Sequence, residues 1–153
     1  MLQLRLILSV LMLLSIPATA QELLAPNPLY LPKHVVEIQL NSLQQNDFPS
    51  PDFGIAQTWA FAHPDNKRVT GPLARFAAMI KGPGYYLMIG HREHTIKPVV
   101  QTADHALFAV SIIAATGQSA SFKWGVSKVL SGVHSGSWMT TTVSPPLSAK
   151  DAI

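Results

Sequence analysis

Between Trp59 and Met88 the chain reads WAFAHPDNKRVTGPLARFAAMIKGPGYYLM. Proline and glycine punctuate it at His63-Pro64, Gly71-Pro72 and Gly82-Pro83-Gly84, and each pair limits where a helix can run. A residue before proline is pushed out of the helical region. Proline suits the first turn of a helix and glycine its exit. The stretch therefore predicts a helix ending at His63, a charged loop from His63 to Asn66, a short helix opened by Thr70-Gly71-Pro72, and an exit at Gly82. Leu73, Phe76, Ala77 and Ile80 are spaced as one apolar stripe of that short helix. Beyond Pro83 the period changes from helical to alternating, so helices come first and a strand meander follows. That order is an α+β plan.

Two helices are predicted upstream. Pro32 opens one that runs to about Asp47, with Val36, Leu40 and Leu43 on a buried stripe. Ser50 and Pro51 open the next as N-cap and first helical residue. On it Phe53, Ala56 and Ala60 share a face that Ile55, Trp59 and Ala62 widen. Five strands are expected, over 85–89, 94–101, 106–114, 119–130 and 137–143. Phe122, Trp124 and Val126 alternate with Lys123, Gly125 and Ser127, giving one buried and one wet face. Pro98 marks an edge or a bulge. Three helices over the concave side of a curved, mostly antiparallel sheet close a cone, whose interior is either packed or left as a pocket.

The chain has 153 residues, 48% of them hydrophobic and only 12% charged, with mean hydropathy +0.23. Residues 1–20 supply part of that apolar excess and read as a secretory signal. Arg5 is its positive start, 6–16 its apolar run, and Ala18-Thr19-Ala20 its cleavage site. The competing reading is a membrane anchor, but the run stops at Pro17, short of the roughly 20 residues a spanning helix needs. Gln21 follows the cleavage site, so lipid attachment to a cysteine is excluded. The expectation is export to a periplasmic or extracellular location, with no stable membrane insertion after cleavage. Residues 21–32 hold Pro26, Pro28 and Pro32 and form an extended leader; the domain spans 33–144, and 145–153 is a flexible tail. The net charge of +3 is scattered, with no basic run among aromatics, which excludes a nucleic-acid footprint. There is no cysteine, so disulfides, thiol chemistry and cysteine metal sites are excluded.

The segment FAHPDNKRVTGPLARFAAMIKGPGYYLM, with HVVEIQLNSLQQND upstream and FKWGVSKVLSGVHSGSWMTTTV downstream, resembles the family called domain of unknown function 4864. Its matching pieces are Asn46-Asp47, the Phe61-Ala62-x-Pro64 corner, Thr70-Gly71-Pro72 with Phe76, Tyr85, and Trp138-Met139-Thr140. The resemblance covers about His34 to Val143. It implies a branch of the SnoaL-like, or nuclear transport factor 2-like, superfamily and its cone of helices on a curved sheet. It implies no activity, because that superfamily hosts isomerases, hydrolases, dehydratases and binding domains alike.

Asp47 extends the stripe of Val36, Leu40 and Leu43 by one more step of four. On that geometry its carboxylate would enter the cone, where burial would suit it to proton abstraction. The other reading is that Asn46-Asp47 ends the helix and bonds the following loop. His91 and His94 are the histidines nearest a metal spacing, but on a strand such a pair faces opposite ways, Arg92 repels a cation, and no third ligand is evident. No metal and no cofactor are expected. His63 is expected to cap a helix end. Gly132-Val133-His134-Ser135-Gly136 is not a nucleophile elbow, and Gly82-Pro83-Gly84 lacks the lysine of a phosphate loop.

Aromatic residues remain. Trp59, Phe76, Tyr85 and Trp124 are the ones expected to bind a ligand inside the cone, with plain core filling as the alternative. The functional expectation is a non-catalytic module for a small apolar ligand or a partner protein. The alternative is an isomerase- or hydrolase-type enzyme with Asp47 as base. A third reading is a homodimer through a sheet face carrying Val129, Met139, Thr141 and Val143.

Overall fold

The computed structural model describes residues 21–148. Residues 1–20, expected to be a secretory signal, and the last five residues of the expected tail lie outside that range. Helices come first and strands afterwards: α1 Pro32–Gln44, α2 Phe53–Ala60, α3 Pro64–Thr70, α4 Leu73–Ile80, a 3₁₀ turn Tyr86–Met88, then β1 Glu93–Gln101, β2 His105–Ile113, β3 Ser119–Lys128 and β4 Trp138–Val143. The strands form one antiparallel sheet in sequence order, β1-β2-β3-β4. The architecture is α+β.

Pro32 sits in the first turn of α1, as its missing N–H allows. Val36, Leu40 and Leu43 are fully buried and join Phe108, Val110, Phe122 and Trp124 in one core cluster. These are the inward residues of β2 and β3, and their alternation reproduces the pattern read from the sequence. β1 is an edge strand, and its register shifts between Pro98 and Val100, where proline has no N–H to give the ladder.

The turn from α1 to α2 is organised by Asn46. Its buried amide oxygen accepts from Ile55 N–H at 3.0 Å, and its backbone oxygen accepts from Gly54 N–H at 2.9 Å. These two bonds satisfy early N–H groups of α2 that would otherwise be orphaned. Helix α2 therefore starts at Phe53 rather than at Pro51, with Asp52 as N-cap in the left-handed region at φ 61° instead of Ser50. Gly54 lies where the two helices touch. A Cβ there would collide with the Ser42 carbonyl and come within 2.8 Å of Asn46 Cα.

The loop expected at 63–66 is a helix. Pro64 occupies the first turn of α3, and the His63 imidazole caps it, Nδ1 accepting from Asp65 N–H at 3.2 Å. His63 thus caps the start of a helix and not the end of one. The strand expected at 85–89 is a 3₁₀ turn, so the sheet has four strands and not five. The leader is docked: Leu24 and the Gln57 side chain exchange two hydrogen bonds, at 2.7 and 2.9 Å, and the Tyr30 ring lies 6.1 Å from that of Phe61. At the other end Leu147 N–H reaches the Ser121 carbonyl, so the chain stays bound to β3 up to that residue.

The four residues of the sheet face expected to dimerise differ in exposure, Thr141 and Val143 being half-buried. Met139 and Val129 are buried, and Val143 turns toward the interior opposite Trp124. The register shifts between Gly125 and Val126, and the Gly132–Gly136 loop returns on the end of β3, where Val129 N–H bonds the Ser137 carbonyl and Gly136 N–H bonds the Val129 carbonyl.

A candidate ligand cavity between the helices and the sheet

A cavity of about 400 Å³ lies between the helices and the inward face of the sheet. Leu43, Phe76, Met79, Ile80 and Met88 give it apolar walls. Its exposed rim is formed by Asp65, Val69 and Thr142, with Asn66, Thr70 and Thr141 half-buried beside them. That volume falls in the range of small-molecule sites.

The buried end is polar and self-satisfied. Gln39, on the buried stripe of α1, accepts at Oε1 from the Thr140 hydroxyl at 2.5 Å and from Trp124 Nε1–H at 3.2 Å. It donates from Nε2 to the Thr58 carbonyl at 3.0 Å. Trp124 Nε1–H also reaches Thr140 Oγ1 at 3.1 Å. Four elements, α1, α2, β3 and β4, are tied together at this point. Nearer the rim Asn66 donates to the Thr140 carbonyl at 3.1 Å and Tyr85 donates to the Val143 carbonyl at 3.0 Å. Burial pushes the Tyr85 phenol above its ordinary range, so it stays a neutral donor.

Of the four aromatics singled out in the sequence, Phe76, Tyr85 and Trp124 line the cavity. Trp59 does not. It stands behind the wall, its ring 5.0 Å from that of Phe76, with the Lys67 ammonium 5.4 Å from its centroid. Gln39, Asn66, Thr70 and Thr140 were not singled out. Gln39 could have been found as a polar residue inside an apolar stripe. Asn66 and Thr70 are one turn apart on α3, and the sequence reading lacked that helix.

Asp47 does not enter the cavity. Helix α1 ends at Gln44, where Gln45 leaves helical geometry at φ −113° and ψ 42°, so the step of four no longer applies. The exposed carboxylate accepts from Asn46 Nδ2 at 2.8 Å and from Asp52 N–H at 2.9 Å. It closes a loop, as the second sequence reading had it. Asp65 is the carboxylate on the cavity lining; its side chain is 61% exposed and pairs with Arg68 at 2.5 Å. Among the described residues no histidine, lysine or arginine lines the cavity. The titratable side chains on the lining are thus the exposed Asp65 carboxylate and the Tyr85 phenol.

His91 and His94 do meet. Gly90, in the left-handed region at φ 64°, turns the chain before β1, so His91 lies outside the strand and the strand rule does not apply. The buried His91 ring donates from Nδ1 to the Met88 carbonyl at 2.7 Å, since a carbonyl only accepts. Its Nε2 then accepts from His94 Nδ1–H at 2.8 Å. Both nitrogens that would face a metal are engaged with each other. Among the described residues no group of three His, Asp or Glu side chains is placed to hold an ion. Burial lowers both imidazoles below the usual histidine value.

Comparison with protein-family models, with curated proteins and with solved structures returns no match to this chain.

Proposed function

We propose that this protein is a binding module that takes a small, largely apolar ligand into the cavity and performs no chemistry on it. One observation carries the reading. The cavity has apolar walls and a buried polar end whose donors and acceptors are already engaged with one another. Such a site rewards shape and apolar area and offers nothing to polarise a reacting bond. The exposed position of Asp47 favours this reading over the isomerase or hydrolase alternative, which needs Asp47 as a base in the cavity.

The order of helices and strands suits the cone of the SnoaL-like superfamily and the resemblance to domain of unknown function 4864. Export is proposed on the pattern of residues 1–20, and no helix among the described residues is long and apolar enough to cross a membrane.

The test is a fluorescence titration of the purified protein with the neutral apolar probe N-phenylnaphthylamine. Enhanced probe emission with saturable binding is expected. Val69→Trp, on the exposed rim, is expected to abolish uptake while changing stability by no more than about 0.5 kcal/mol, as surface substitutions do. Emission unchanged by the protein, or uptake insensitive to Val69→Trp, would overturn the reading.

A further inference from the structure

Asp65 and Thr141 line two sites at once: the apolar cavity and a neighbouring groove of about 410 Å³. The groove has a different chemistry. Arg68 and Lys128 bring two positive charges to it, and His63, His105 and Ser127 add ring nitrogens and a hydroxyl. Its one carboxylate, Asp65, is already held by Arg68. Lys128 is braced with its ammonium 5.4 Å from the Trp138 ring centroid, and His105 Nδ1 lies 2.8 Å from Ser127 Oγ. The groove therefore carries a net positive charge beside the rim of a cavity that no cation among the described residues lines.

This juxtaposition selects a ligand. A charged head group dragged into the cavity would lose its hydration with nothing there to replace it. Left at the shared rim, it would keep water and gain the groove's charges. A positive head would meet Arg68 and Lys128, while the carboxylate that could welcome it is occupied. A negative head meets the Lys128 ammonium and the Arg68 guanidinium, whose charge Asp65 offsets but which it engages through Nη2, leaving one net positive charge to favour the anion.

We infer that the ligand is an anionic amphiphile, with its apolar body in the cavity and a carboxylate head in the groove beside Arg68 and Lys128, the two parts joined across Asp65 and Thr141. The inference rests on the cavity reading above and adds the chemical class of what the cavity takes.

The test compares three probes with the same tail, decanoate, decanol and decylamine, by calorimetric titration of the purified protein at neutral pH and low salt. Decanoate is expected to bind about three- to tenfold more tightly than decanol, the range two partly solvated ion pairs supply. Decylamine is expected to bind most weakly. The margin should shrink in high salt. In Arg68→Gln/Lys128→Gln it should vanish while decanol affinity stays unchanged. Should the double variant fail to fold, Arg68→Gln alone is expected to remove part of the margin, because that side chain is exposed. Equal binding of decanoate and decanol, or a preference for decylamine, would overturn the amphiphile inference and leave the cavity standing. Absence of binding by all three would remove the cavity reading with it.

Discussion

Gln39→Leu is the substitution whose cost the structure defines most closely. Leucine keeps the approximate size of the side chain and its helix propensity, so packing and backbone terms change little. What is lost is polar. The Thr140 hydroxyl loses the acceptor to which it donates at 2.5 Å. The Thr58 carbonyl loses the amide at 3.0 Å but keeps Phe61 N–H at 3.3 Å. Trp124 Nε1–H keeps Thr140 Oγ1 at 3.1 Å. One buried donor is thus left alone and one acceptor half-served, at about 1–3 kcal/mol for a fully orphaned group. A total of about 2–4 kcal/mol follows, which for a domain of this size lowers Tm by roughly 10 °C. Urea unfolding followed by tryptophan fluorescence gives the cost directly, with an unchanged slope showing that the two end states are the same. Gln44→Leu is the control, since its amide bonds the Arg92 carbonyl at the surface, and it is expected to cost under about 1 kcal/mol. If Gln39→Leu were as stable as the parent, the buried network would not be holding the four elements together.

Acidification is expected to destabilise the protein from about pH 6.5 downward, before the carboxylates titrate. Burial lowers the folded-state values of His91 and His94, partly opposed at His94 by Glu37. The unfolded chain therefore binds more protons in that window, and the stabilisation present above pH 6.5 is lost as pH falls; urea midpoints at neutral and mildly acid pH test the sign, and a rise on acidification would refute it. Gly54→Ala is expected to cost about 3 kcal/mol or more, because a methyl group there meets the Ser42 backbone, which cannot move aside without separating α1 from α2. A thermal melt within a few degrees of the parent would contradict that contact. Asp47→Asn is expected to leave probe affinity unchanged, since the amide oxygen can still accept from Asp52 N–H in a loop away from the cavity; a tenfold loss would return Asp47 to the site.

Where the sequence carried a strong period, it was readable. The α1 stripe, the inward residues of β2 and β3, and the edge position of Pro98 all follow from apolar spacing and from what proline can donate. Phe76 and Trp124 line the cavity from the helix stripe and the strand face that their spacing predicts, whereas Tyr85 reaches it from the turn before the 3₁₀ helix and not from the strand expected there. Local pattern failed where one residue type has two local meanings. Pro64 was read as stopping a helix, yet proline also fits a first turn, and the His63 ring nitrogen makes it one. Tyr85 to Ile89 is a short apolar run that strand and 3₁₀ turn fill equally well. Asp47 was placed by extending a helical period past a point where the helix had ended. Met139 and Val129 are expected on an open face, but both are buried, Met139 within the run of three successive buried residues that starts β4. The Gln39 network depends on contacts up to 101 residues apart in the chain, which no local pattern records.

The central claim is that the cavity is a ligand site and not a packing defect. Amide and indole NMR of the purified protein during titration with decanol tests it most directly. Saturable shifts are expected at the Trp124 indole N–H and at the amides of Val69, Thr70, Tyr85, Met88 and Val143, with none in the Asn46–Asp52 loop. Shifts confined to exposed apolar residues such as Leu130 and Val133, with the Trp124 indole unmoved, would contradict it.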